Sequence, residues 1–568
     1  MRRWQTVFLV LGLGALVGAC ESSGDEPPAE VAVDLSAPDR LLRISMALRG
    51  QRPSAEELRA VAGDPTQIAS LVDAYMRSPG FGEAIRDLHN EALDTRVAAS
   101  LFPAGFAARG ELEGVEVQPL NVSITEAPLR LAEFVVTQDR PYTELVTANY
   151  TIADPYVAKV WGLKREDGPG WKIAYYVDGR EQAGVLSDSM LFTRHSTTFS
   201  NKNRGRANAI SRALLCYDFI SRSLEVDATI NLADPEEVAN AVQKNKGCAG
   251  CHQTLDPLAS FFSAYSPVFV PSDQEEYPVA FYTPGLKSIF SVREQGYFGF
   301  PGNGLHHLGE MIAADPRFSA CAARRFYAYF HQIPLGDVPQ DRITDLQAVL
   351  TSRWSAKDLT RAIVLDDDFQ VSHVEGGEGS SFSGLVPDED APIEDRHLFK
   401  ARPWQLANSI EDITGYRWET RVDADLGWGT IGRIDLMRDS LFGYEVLAGG
   451  IDAVNVTLPA HEMTATSSLV VRNLAAHAAE YVVEQDFRYP SSAKLLHLAE
   501  DEQTEDALRA QIVELHARIL GELVDAHSPE VDESYALFSA SRGSTQSNRR
   551  GFKVLIFAML QDSRLLFY

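Results

Sequence analysis

Ile68-Ala69-Ser70-Leu71-Val72-Asp73-Ala74-Tyr75 decides the fold class. Its apolar members Ile68, Leu71, Val72 and Tyr75 recur at i, i+3, i+4 and i+7, which lays them along one face of an α-helix. Just upstream, Ser54 with Glu57 predicts a capping-box helix start. Far downstream, Ile512, Leu515, Ile519, Leu520 and Leu523 form another apolar stripe. Strand signals are fewer: Lys172 to Val177, a turn at Asp178-Gly179, and Arg180 to Leu186 predict one hairpin. The fold class expected is mainly α, a multidomain helical protein with a minor β-hairpin element.

A helical pattern recurs along the chain. One copy runs Leu41 to Phe81, with Pro53-Ser54 at its turn and Ser78-Pro79-Gly80-Phe81 at its end. A second runs Cys321 to Phe369, with Pro339 at the turn and Ser355 to Asp358 capping the last helix. A third runs Ile512 to Tyr568, with Ser528-Pro529 as N-cap and first helical residue. Duplication and shared propensity explain such a pattern equally well. The clearest break, rich in Gly, Ser, Pro and acid, is 372–396.

Cys248-Ala249-Gly250-Cys251-His252 is the most specific motif in the chain. Two thiols at this spacing can each form a thioether to a haem vinyl group, and the histidine that follows supplies the proximal iron ligand. The cofactor expected is one covalent haem c, and the chain around it a c-type haem module. A helical stretch from Asp234 to Lys246 is expected to end at Gly247, with Gln253 to Pro257 leading away. Zinc would need a second ligand pair nearby, and none is visible. His195 and Met311 are the candidate distal ligands, with His306 and His307 behind them. Met311 reads equally well as core, because Leu308, Met311 and Ile312 share a helical face. Asp256, or a carbonyl near Pro257, is placed to hydrogen-bond the free ring nitrogen of His252. Arg204 and Arg206 are candidates for the haem propionates.

The first twenty residues set the compartment. Arg2 and Arg3 precede a short apolar run, Val7 to Leu16, closed by Val17-Gly18-Ala19-Cys20. That is a secretory signal, too short for a membrane span. Small residues before Cys20 form a lipobox, which makes Cys20 the expected lipidation site; an ordinary signal peptide is the alternative. Export agrees with covalent haem, which is attached outside the cytoplasmic membrane. Glu21 in second place of the mature chain favours the outer membrane, facing periplasm or exterior. An oxidising envelope would let Cys216 and Cys321 pair; two buried free thiols are the alternative. The expected division is a signal peptide 1–19, a tether 20–36, an N-terminal helical domain with a hairpin 37–195, a haem domain with closing helical repeat 196–371, a linker 372–396 and a C-terminal helical domain 397–568.

The net charge of −27 repels nucleic acid. The partners expected are a redox protein of the envelope, from the haem, and a membrane, through the lipid. Gly427-Trp428-Gly429-Thr430-Ile431-Gly432 fits a dinucleotide fingerprint but follows Asp423-Ala424-Asp425 rather than an apolar strand. His461-Glu462 lacks the second histidine of a zincin, and no G-x-S-x-G elbow is present.

Together these stretches resemble the planctomycete-type cytochrome c family: large exported proteins built of consecutive domains of unknown function around one C-x-x-C-H site. Leu42 to Phe81 is similar to its opening helical segment, and Pro141 to Leu163 to its next block. Gly184-Val185-Leu186, His195-Ser196, Arg204-Gly205 and Leu214-Leu215-Cys216 resemble the run before the haem. Cys248 to His252 with Leu255-Asp256-Pro257-Leu258 resembles the haem block, and Asp315 to Phe369 the closing helices. Here Ala259-Ser260-Phe261-Phe262 stands where the family usually continues with Gly. The likeness covers most of 40–370 and is looser over 399–568. It implies an exported monohaem cytochrome without supplying a reaction. Electron transfer is the first expectation. A haem enzyme with an open, peroxidase-like sixth position and a cell-surface interaction protein with a structural haem are the others.

Overall fold

Side chains at the helix starts fix where helices begin. The structure is a computed structural model that describes residues 31–97, 110–221, 230–231, 233–265, 277–375, 398–425 and 429–568. The signal peptide, Cys20 and residues 376–396 of the expected linker lie outside the described residues. Ser36 accepts from the Asp39 amide and opens Ala37–Arg49, which Gly50 ends at φ 62°. Ser54 and Glu57 form a reciprocal capping box on Ala55–Gly63. Ile68–Tyr75 buries Ile68, Val72 and Tyr75, with Leu71 at the edge of the core. Ser78-Pro79 does not close a unit: it begins Pro79–Leu93, with Pro79 where no amide hydrogen is needed. Ser355 caps Ala356–Leu365, and Ser528 caps Pro529–Arg542. The chain is mainly α and multidomain, with small antiparallel sheets beside the helices.

The expected hairpin is corrected in its second arm. Lys172–Tyr176 is a strand, but it pairs with Thr151–Ala153 and Leu163–Arg165. Arg180 to Leu186 contains no strand. Arg180 folds back so that its guanidinium lies 3.8 Å from the Tyr176 ring centroid, and it donates to the Ser187 carbonyl and Ser189 Oγ. Gly184, at φ 54°, then turns the main chain against Leu145, whose carbonyl accepts from the Val185 amide. An Asp-Gly pair marks a turn without specifying which strand its first arm joins.

The C-terminal stripe is also broken. Ile512 and Leu515 close the helix Glu505–Leu515, whereas Ile519 and Leu520 sit in a π-helical turn, His516–Leu520. Leu523 lies beyond Gly521 and is 42% exposed. A π turn holds more residues than an α turn, so an i, i+3, i+4 stripe drifts off its face.

Two short main-chain pairings bracket the two parts of the chain. Val31–Asp34 pairs antiparallel with Val371–Glu375, with Val31 opposite Glu375. The end of the expected tether and the start of the expected linker are thus strand. In the C-terminal part, Phe399 and Tyr568 exchange amide-to-carbonyl bonds of 2.9 Å, and the Ala401 amide donates to the Leu566 carbonyl. One buried core runs across both parts and includes Leu41, Phe369, Phe399, Ile410 and Tyr568. Arg43 donates to the Phe369 and Val371 carbonyls while lying 4.7 Å from the Phe399 ring centroid. Gln405 donates to the Met46 carbonyl, and buried Arg52 donates to the carbonyls of Leu520 and Arg564.

Candidate functional site

Asn245 starts the helix that carries the motif. It ends Pro235–Lys244, and its side chain accepts from the amides of Gly247 and Cys248, opening Lys246–Ser260. The segment expected to lead away from the motif, Gln253 to Pro257, continues this helix. Cys248, Cys251 and His252 therefore stand at i, i+3 and i+4 on one helical face. Both thiols are free and half-buried, and a side chain built at Gly250 would meet nothing within 4 Å.

One turn on, Asp256 accepts from His252 Nδ1 at 2.8 Å. Its carboxylate is fully buried, and Arg204 from the helix Arg204–Leu215 grips it with Nε at 2.6 Å and Nη2 at 3.2 Å. Arg293 adds a longer contact of 3.8 Å. Burial alone would raise the Asp256 carboxyl, but the His252 and Arg204 hydrogen bonds hold it below the usual carboxylate range. Ser260, on the same helix, accepts from the amides of Val292 and Arg293, and Gln295 donates to the Ser260 carbonyl. These bonds fasten the segment that carries Arg293.

The remaining sequence candidates have other contacts. Arg206 is fully buried and donates to the carbonyls of Phe192, His195 and Tyr265 and to Asn203 Oδ1, so its donors are engaged inside the protein. Two residues on a helix differ by about 200° of rotation. Arg204 thus reaches toward His252 while Arg206 reaches the His195 carbonyl from another side of the helix. The His195 ring bonds the Leu93 carbonyl through Nε2 at 3.2 Å, and burial with the neighbouring Arg194 charge pushes it down to about 3. Met311 Cε and the tip of the Phe261 ring both crowd Gly302. Phe261 follows the end of the motif helix, about 13 Å along its axis from His252. His306 lies 3.5 Å from Glu310, and His307 accepts from the Asn303 amide. Both line a surface cleft with Asn149, Arg180, Glu181 and Gln182.

Cys216 and Cys321 are bonded, with Cα atoms 5.3 Å apart, and join the end of Arg204–Leu215 to Pro316–His331. Arg325 reinforces that junction by donating to the carbonyls of Arg212 and Ala213. Gly432, the last glycine of the dinucleotide-like pattern, lies inside the strand Thr430–Asp435 of a hairpin with Glu419–Asp425, where the fingerprint would need a helix to begin.

The donor set fits a covalently attached haem: two free thiols and a histidine share a face, and the histidine is backed by an anion. Exposed apolar side chains lie on the segments that lead to Arg204 and Arg293. Phe199, 75% exposed, precedes Ser200, whose carbonyl Arg204 also reaches; its ring stacks on Phe290 at 5.5 Å. Ile289 is exposed beside Phe290, shortly before Arg293. Sequence reasoning missed Arg293, Asn245 and Ser260. Asn245 had a local signal, an Asn directly before a helical run; Arg293 had none, because its loop reaches Asp256 only through tertiary packing.

A family model described as PSCyt3, protein of unknown function (DUF1588), matches residues 182–270, a span that contains Arg204, Cys248 to His252 and Asp256. The match supports a cytochrome-associated domain of the planctomycete type. No curated protein and no solved structure matches the chain. Among the described residues no helix is long and apolar enough to cross a membrane.

Proposed function

We propose that this chain is an exported monohaem c-type cytochrome. In this reading haem is held by thioethers from Cys248 and Cys251, with His252 as proximal ligand. Cys20 carries a lipid that keeps the protein at the cell envelope, on the outer membrane, and electrons pass to or from a redox protein there. The observation that carries the reading is the common helical face of Cys248, Cys251 and His252, with Asp256 held against His252 Nδ1. A haem in this place supplies a one-electron Fe(III)/Fe(II) couple. The chain orients the His252 ring through Asp256, and the Arg204 and Arg293 charges compensate that carboxylate.

The second reading, a haem enzyme with a displaceable sixth ligand, is favoured by the engagement of His195 with the Leu93 carbonyl. Maturation of the full chain in a host that attaches c-type haem tests both. Denatured protein is expected to keep one haem, and Cys248→Ser with Cys251→Ser to lose it; a wild-type chain without covalent haem sinks the proposal. Optical and EPR spectra then divide the readings. A low-spin iron indifferent to carbon monoxide means an electron-transfer or structural haem, and a high-spin or readily displaced site means an enzyme.

A further inference from the structure

The hydrogen-bond partner of His252 is a carboxylate rather than a carbonyl, and it comes from the same helix four residues on. Arg204 binds both oxygens of Asp256, and Arg293 approaches the second. An ionised carboxylate only accepts hydrogen bonds. With Asp256 ionised the proton must sit on His252 Nδ1, which leaves the lone pair on Nε2, the nitrogen free to bind a metal.

We infer that Asp256 is a positioning residue that fixes the tautomer of His252, makes its Nε2 a stronger donor and lowers the reduction potential of a haem bound there, with Arg204 limiting that effect. This rests on the haem reading above. The charges give the variants opposite signs. A carboxylate near the ring favours the ferric state, so its removal destabilises Fe(III) relative to Fe(II). A guanidinium on the same carboxylate draws its charge away from the ring, so its removal does the reverse. An ion pair with no hold on the haem leaves the potential where it is in both variants, however much its loss loosens the fold.

The experiment is spectroelectrochemical titration of the full-length holoprotein, wild type against Asp256→Asn and Arg204→Gln. A haem stain on denaturing gels is run for each. The expected result is covalent haem in all three, an upward shift of the midpoint potential in Asp256→Asn and a downward shift in Arg204→Gln. Should Asp256→Asn fail to fold, the downward shift in Arg204→Gln supports the inference and an unchanged or raised potential overturns it. Potentials that stay put in both variants, or move in the same direction, overturn it while leaving the haem reading intact. A wild-type chain that takes up no covalent haem overturns the haem reading and this inference together, and the stain tells that outcome from the others.

Discussion

Arg206 shows how much a single buried cation organises: three main-chain carbonyls and the Asn203 side chain converge on it, and burial pushes its guanidinium down to about 9. Arg206→Met leaves those acceptors without a donor and is expected to cost about 3 kcal/mol or more in urea unfolding. Glu126 gives the pH dependence. Burial would raise its carboxyl, but Arg96, Arg86 and Arg130 hold it at about 2. A carboxyl lowered in the folded state stabilises above its unfolded value, about 4.3, and that contribution is lost as pH falls toward the folded value. Unfolding followed between those limits is expected to show wild type losing stability more steeply than Glu126→Gln. Glu445 has the opposite sign: burial raises its carboxyl well above the usual range, so its contribution falls as pH rises, and Glu445→Gln is expected to raise the melting temperature at neutral pH. At this scale the sequence was readable where the chemistry was local. Asp256 lies one helical turn from His252 and could be named beforehand. The partner of Arg204 could not, because its carboxylate belongs to a helix far along the chain.

Helix starts were legible for the same reason: Ser54 with Glu57, Ser355 and Ser528 act within one turn of themselves. What failed was pairing at a distance and the departure from 3.6-residue spacing. The π turn His516–Leu520 is locked by the His516 ring, which contacts Glu522 at 2.8 Å and Ser534 Oγ at 2.9 Å. No hydrophobic periodicity encodes such a lock. His516→Ala is expected to cost about 2 kcal/mol and to increase amide hydrogen exchange over 516–523 before the rest of the chain. Close helix approach is equally silent in sequence. At Gly309 in Gly304–Ala314 a Cβ would stand 2.0 Å from the Val146 carbonyl. Gly309→Ala is expected to push that helix away and cost about 2 kcal/mol in thermal or urea unfolding. The bond between Cys216 and Cys321 is checked by thiol counting under denaturation: haem-loaded protein is expected to show no reactive thiol at Cys216, Cys248, Cys251 or Cys321, and two if that bond is absent.

For the whole molecule, a mainly α architecture followed from the stripes and caps. The fit between its parts did not, because Arg43 against Phe399, Gln405 against Met46 and Arg52 against Leu520 and Arg564 carry no mark of their partners in the sequence. Burial shared across both parts makes each a support for the other. A chain ending at 375 is expected to have a lower melting temperature and to bind a hydrophobic dye that the full chain excludes.

The two main-chain clasps, Val31 opposite Glu375 and Phe399 opposite Tyr568, have a topological consequence. Each part enters and leaves through one doorway, so the chain is two closed loops strung end to end. Each doorway sets distant points of the chain side by side, so a loop can be opened there and its ends rejoined without threading one part through the other, while the shared core still holds the two parts together.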